Sequence, residues 1–321
     1  MQLLYLSRRD VEDTALKMPE LIDILEQAFL DKGRGNVEMP PKPGIHPIPN
    51  AFLHAMPASV PGLKAAGIKW VSGYPSNKAK GLPYITGLMI LNDFDTGIPQ
   101  CVMDATWVTA NRTGASTGLT ARTLARPDSK TAGVLACGVQ GRTNLEAFHT
   151  VFHLERAYAY DIDPHSQQRY VNEMSRKLDL EIIGVKTPRE AVVNSDLVVT
   201  SGPMLKQPNP VIQAGWLQPG AFACALDYNS YWQRPALDEM DLITTDDLNQ
   251  IPTARRDGFL NDAPDPSVEL AQILTGQHPG RTDNTQHILA MNFGLAMCDM
   301  AVGSVIYQRA VEKGLGSWLP L

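Results

Sequence analysis

The residues between 131 and 161 carry the pattern best suited to holding a phosphate. An apolar, strand-like run (TAGVLACG, 131–138) leads into Gly138-Val139-Gln140-Gly141-Arg142, and a helix-like stretch follows to about 154. Aligned to G-x-G-x-x-G, the fingerprint is A-x-G-x-x-G, with Ala136 in the place of the first glycine. Gly138 lets backbone approach a pyrophosphate, Gly141 permits close helix–strand packing, and the helix N-terminus offers unpaired N–H groups to the anion. A second strand (RAYAYD, 156–161) ends on Asp161, about 20 residues on, where an acid would bond ribose hydroxyls. Asp161 and Asp163 would repel a 2′-phosphate and no arginine follows directly, so NAD(H) is expected in preference to NADP(H).

Positioning such a turn requires a parallel sheet, and the surrounding sequence supplies one. After the helix-like 164–178, short apolar runs recur at 181–185, 196–200, 221–226 and 241–244. Strands alternating with helices of this length imply crossover connections and an α/β fold with a Rossmann-type, doubly wound parallel sheet. The first third reads differently. An amphipathic helix opened by Pro19 runs to Leu30, the proline-rich MPPKPGIHPIPN (39–50) cannot be a regular helix, and 63–104 looks like strands and turns. A small-residue, helix-compatible stretch (107–125) stops at Arg126-Pro127, and the segment 293–311 is apolar nearly all round, as a buried helix. If that helix packs back on the first domain, the first domain is discontinuous.

Composition narrows the partners. The 321 residues include 28 Lys+Arg and 34 Asp+Glu, a formal charge of −6, which argues against a broad basic surface for nucleic acid or anionic membrane. With 44% hydrophobic residues the chain can bury a real core, yet no run of 18 apolar residues exists to span a bilayer. The N-terminus lacks the apolar stretch of a signal peptide. Cys101, Cys137, Cys224 and Cys298 are far apart and form no CxxC, so a reduced, cytoplasmic protein without disulfides or a metal site is expected. His149 and His153 lie i, i+4 on the predicted helix without an HExxH acid and read as structural.

Over nearly its whole length the chain resembles the ornithine cyclodeaminase/μ-crystallin family. The matching stretches are PPKPGIH (40–46), HAMPA (54–58), IKWVSGYPSN (68–77), LNDFDTGIP (91–99), TANRTGAST (109–117), ACGVQGRTN (136–144), AYDIDP (159–164), WLQPGAF (216–222) and FGLAMCD (293–299). The resemblance implies a homodimer of two-domain subunits. Residues 1–118 and 293–321 would form an α+β substrate and dimerisation domain, and 119–292 an NAD-binding Rossmann domain. It further implies hydride transfer between an amino acid and its imino acid.

Residue by residue, the resemblance assigns Lys69 to the pocket as a carboxylate ligand or proton relay. Arg112 goes to the junction of substrate and cofactor, where a guanidinium grips carboxylate in bidentate fashion. Asp227, after the strand-like AFACAL (221–226), matches the family's acid–base aspartate. Lys42 stands where the family often has an arginine, keeping the charge without the fork. His54 falls where cyclodeaminases carry a glutamate for the distal amine of ornithine, and could instead help hold an anion. Val139 and Gln140 would lie along the pyrophosphate with Arg142 adding charge, Ser201 and Gly202 would border the nicotinamide ribose, and Asn292 would touch the nicotinamide. Phe293 would line the substrate pocket. Where the family has a Gly/Pro-rich turn ending in lysine, this chain has Tyr228-Asn229-Ser230-Tyr231-Trp232-Gln233-Arg234, with Arg234 in the place of the lysine. The leading expectation is an imino-acid reductase or amino-acid dehydrogenase acting on a small carboxylate, of the iminosuccinate/aspartate or alanine type. Ornithine cyclodeaminase and a nucleotide-dependent, μ-crystallin-like binder are the alternatives.

Overall fold

A computed structural model describes residues 1–321. The chain divides into two compact units, Met1–Arg112 with Leu295–Leu321, and Thr113–Gly294. These divisions fall within a few residues of the expected 118/119 and 292/293. The first falls inside a continuous helix, where the sequence has no turn residues to mark it.

The first unit opens with β1 (Gln2–Leu6), α1 (Arg8–Asp13) and α2 (Met18–Gly33). Ser7 caps α1 by a reciprocal pair of bonds with Asp10. Proline in the first turn opens α2, and Leu21, Ile22, Leu25, Ala28 and Phe29 form its buried stripe. Then come β2 (Gly44–Ile45), β3 (Phe52–Val60), β4 (Ala65–Gly73), β5 (Ile85–Asn92), β6 (Pro99–Asp104) and α3 (Thr106–Leu124), which runs on into the second unit.

The second unit contains β7 (Thr131–Leu135), α4 (Val139–Val151), β8 (Arg156–Tyr160), α5 (Pro164–Leu178), β9 (Glu181–Gly184), α6 (Pro188–Val193), β10 (Leu197–Thr200) and β11 (Phe222–Ala225). It continues through α7 (Arg234–Leu237), β12 (Leu242–Thr245), α8 (Ile251–Arg256), β13 (Val268–Glu269), α9 (Leu270–Leu274) and β14 (Ile288–Met291). Its eight strands lie in the order β13-β12-β14-β11-β10-β7-β8-β9, every neighbouring pair parallel. Alternate strand residues feed two cores: Leu197 and Val199 pack with α4 and α5 on one face, and Val198 packs with α6 to α8 on the other. Both faces being covered explains why these strands read as continuous apolar runs. Strand order reverses between β7 and β10, the switch point at which such sheets take their ligands.

The chain then returns to the first unit as α10 (Ala296–Lys313) and β15 (Ser317–Pro320). The sheet there has the order β15-β1-β6-β5-β4-β3-β2, antiparallel except for β1 with β6. α10 packs on β3, β4, β5 and α2, which accounts for its buried, apolar composition.

Candidate active site

In the first unit, chemistry begins with a lysine on the wrong face of a strand. Along β4, Lys69 and Val71 point inward while Trp70 points out, so Lys69 occupies a core position and is fully buried. A buried ammonium requires an anion, and α10 supplies one: Asp299 Oδ2 lies 2.6 Å from Lys69 Nζ. The other oxygen, Oδ1, accepts a bond of 3.0 Å from Arg112 Nε on α3. The Lys69–Asp299 contact engages one of the ammonium's three N–H donors and leaves the others for another acceptor. Burial lowers the Lys69 pKa to about 7; Asp299 opposes the fall, while Arg112 and Lys42 add to it. Asp299 was not legible as a site residue, although an acid inside FGLAMCDMAV was the available signal.

His54 lies on β3 opposite Val71, its ring stacked on Phe52 at 4.3 Å with His46 edge-on at 6.5 Å. Burial, with the charges of Lys42, His46 and Lys69, pushes its pKa down to about 4. It is therefore neutral at pH 7, and could hold an anion only as an N–H donor, not as a cation. Half-buried Lys42 stands close enough to depress both His54 and Lys69.

In the second unit, the turn after β7 shows why the fingerprint begins with glycine. Ala136 has φ +80°, a left-handed conformation that a Cβ disfavours. Gly141 lies so close to β7 that an added Cβ would run into the Ala136 carbonyl oxygen. Gly138, the N-cap of α4, has nothing within 4 Å of such a Cβ, leaving open space over the helix N-terminus. Val139 is exposed beside it, while Gln140 is held through its carbonyl by Asn144 at 2.8 Å. At the end of β8, Asp161 is oriented by two backbone donors, Cys137 N at 2.7 Å and Asp163 N at 2.9 Å. Ser201, across the switch point, donates to the Ala136 carbonyl at 3.1 Å, and the Tyr231 hydroxyl packs against Gly202.

Two arginines do not do what the sequence suggested. Arg142 turns away from a role as charge for a ligand: it donates to the Cys137 and Gly138 carbonyls at 2.5 and 3.1 Å and pairs with Glu173 at 2.6 Å. It braces the glycine turn. Arg234 is exposed on α7, pairs with Asp238 at 2.7 Å and lies 3.9 Å from Asp262, so its charge is balanced at the surface.

Asp227 follows β11 and is wholly buried, with neither carboxylate oxygen in a well-formed hydrogen bond. Desolvation pushes its pKa up to about 7; the Thr200 hydroxyl and the N–H groups of Tyr231 and Ser230 offset this only in part. The next residue, Tyr228, has φ +62°, an outlier for a bulky side chain. Trp232 is core, its indole N–H donating to Thr200 Oγ1 at 3.2 Å. Buried Asn292 directs Nδ2 toward Thr120 Oγ1 at 3.5 Å and leaves Oδ1 without a partner. Phe293 packs its ring on Tyr228 at 5.0 Å, and the N–H groups of Phe293 and Gly294 are held by Asp246 at 2.9 and 2.7 Å. Asp246 is a second residue that local sequence did not single out.

The family model for the ornithine cyclodeaminase/mu-crystallin family matches residues 2–314. An alanine dehydrogenase of Archaeoglobus fulgidus is 34% identical over 332 residues, covering 99% of this chain and 98% of that one. The structure of a Thermococcus litoralis Delta(1)-pyrroline-2-carboxylate reductase with NADH and L-proline is 33% identical, with a TM-score of 0.90 over 98% of this chain and 99% of that chain. An archaeal alanine dehydrogenase dimer with bound NAD is 31% identical, with a TM-score of 0.89 over the full length of both chains. With its parallel sheet, glycine turn and strand-end aspartate, and a match that spans almost every residue, the chain belongs to the ornithine cyclodeaminase/mu-crystallin family.

Proposed function

We propose that the protein is an NAD(H)-dependent oxidoreductase that interconverts a small imino acid and its amino acid. The observation that carries this reading is Asp227, a wholly buried carboxyl supported only by weak, poorly aligned donors, whose pKa of about 7 suits proton exchange near neutrality. Reduction of a C=N bond needs a proton for nitrogen, which protonated Asp227 donates; oxidation needs a base for the ammonium, which the ionised form provides. Lys69 and Arg112 bind the substrate carboxylate.

The turn fits a dinucleotide. Open space over Gly138 and the N-terminus of α4 would receive the pyrophosphate beside Val139 and Gln140, and Asp161 would accept from ribose hydroxyls. Ser201 and Gly202 would border the nicotinamide ribose, and the unpartnered Oδ1 of Asn292 would accept from the carboxamide. When bound, the nucleotide supplies the hydride. NADH is favoured over NADPH because Asp161 would repel a 2′-phosphate and Arg142, committed to Glu173, does not offset it.

Relatives named pyrroline-2-carboxylate reductase and alanine dehydrogenase support a substrate with one carboxylate and a small or cyclic side chain. Ornithine cyclodeaminase chemistry is disfavoured by His54, a neutral ring that offers no anion to a distal ammonium. We also read the protein as a homodimer that works in the cytoplasm. Tyr5, Trp70, Leu88 and Ile90 make an exposed apolar row on the outer face of the first unit's sheet, with Trp70 directly opposite Leu88. No helix is long and apolar enough to cross a membrane.

The test is NADH oxidation against Δ1-pyrroline-2-carboxylate and against 2-oxo acids with ammonium or methylamine. Turnover with at least one is expected; none with any of them refutes the proposal.

A further inference from the structure

The acid that the mechanism does not use is the one that joins its two cations. Asp299 is fully buried on α10 and touches Lys69 through one oxygen and Arg112 through the other. Its reach is built into the helix. Gly303, one turn on and on the same face, has no side chain, and a Cβ there would run into Met89 Cε of β5. The helix therefore lies close on the sheet, and a side chain as short as aspartate reaches Lys69 on the neighbouring strand.

The charges at this point are two cations and one anion, a net of +1. Without the anion, the two buried cations would repel each other with nothing to hold either in place. With it, the guanidinium is gripped at Nε, which fixes the plane of the fork, and the ammonium is fixed beside it.

Resting on the oxidoreductase reading above, we propose that Asp299 is a positioning residue that joins Lys69 and Arg112 into a single seat for one substrate carboxylate.

Lys69 faces Asp299 from α10, Arg112 from α3, and Lys42 and His54 from its own sheet side. Of these only Asp299 favours the charged ammonium. The wild-type seat is +1 below about pH 7 and neutral above it, once Lys69 has lost its proton. Replacement by asparagine removes both the group that holds that proton and the anion that anchors the guanidinium, so Lys69 is neutral across the same range and Arg112, though still charged, is no longer held in place.

The experiment measures the affinity of pyrrole-2-carboxylate, a planar monocarboxylate that cannot accept hydride, with and without NADH, from about pH 6 to about pH 9. In the wild type its Kd should rise toward roughly tenfold per pH unit above about pH 7. In Asp299→Asn the probe should bind more weakly at low pH and the rise should disappear, while the Kd for NADH stays as in the wild type. A wild-type pH step in Asp299→Asn overturns the proposal. If that variant does not fold, Asp299→Glu decides. It keeps the charge and so the step, but its extra methylene displaces both contacts and weakens the probe several-fold; unchanged affinity contradicts the positioning role. A wild type that binds NADH but no probe at any pH overturns the seat. A wild type that binds the probe with the expected step but no NADH defeats the oxidoreductase reading and leaves the role of Asp299 standing.

Discussion

Replacing Asp227 with asparagine should make the protein more stable and disable it. The folded protein holds this carboxyl at about 7 instead of its ordinary 3.8, because burial strips water from the ionised form and the few donors around it offset that only in part. At about 1.4 kcal/mol per pH unit, that displacement corresponds to about 4 kcal/mol at most. The folded-state pKa lies above the unfolded one, so the unfolded chain loses the proton first. Stability is therefore intact below about pH 4, falls as pH rises, and has lost the full amount once pH passes about 7. Asparagine has the same shape and never ionises. Asp227→Asn should match the wild type near pH 4 and exceed it by up to about 4 kcal/mol near pH 8, read as denaturant midpoints over a pH series. Residual structure in the unfolded chain will reduce the figure but not reverse it. The same variant should lose about 10²- to 10⁴-fold in kcat, the usual worth of a positioned acid, with NADH binding unchanged. Equal stability at pH 8, or a more stable wild type, would refute the argument that Asp227 is a desolvated carboxyl kept for proton transfer.

Four further outcomes follow from the geometry. Ala136→Gly should stabilise the protein by about 0.5–1 kcal/mol: relief of a left-handed alanine is worth about 1–2 kcal/mol, and about 0.4–1 is lost to the freer unfolded chain. A urea midpoint that falls contradicts this. Gly138→Asp points a charge into open space, so stability should hold while NADH affinity drops at least about tenfold; Gly141→Ala, which meets the Ala136 carbonyl, should instead cost about 1–3 kcal/mol of stability. Lysines at both Trp70 and Leu88 should convert a dimer to monomers in sedimentation, and an unchanged dimer would place the interface elsewhere.

What the sequence made legible was local. The glycine turn, the strands around it and Asp161 lie within some thirty residues, and their spacing alone encodes a βαβ unit. Lys69 and Asp227 and their roles were reachable through the family resemblance, but the pKa each takes was not: burial sets both values, and burial is a property of the packed chain. Asp299 meets Arg112 across 187 residues of sequence, so nothing near it announced the contact. The reverse error befell Arg142 and Arg234, whose places beside the turn and the aspartate suggested a ligand. Glu173, 31 residues along, claims the first. The second pairs with Asp238 at i+4, a partner that helical spacing could have revealed. His54 was expected to help hold an anion; burial and the nearby lysines keep its ring neutral, a state that only packing reveals.

The central claim is hydride transfer to an imine carbon, and one isotopic measurement addresses it directly. With NADH deuterated on the transferring face of C4 and Δ1-pyrroline-2-carboxylate or an alanine-type imine as acceptor, the amino acid formed should carry one deuterium at Cα, one for each NADH consumed. An amino acid formed without deuterium at Cα, or ornithine converted to proline with ammonia released and no net consumption of nucleotide, would contradict the account.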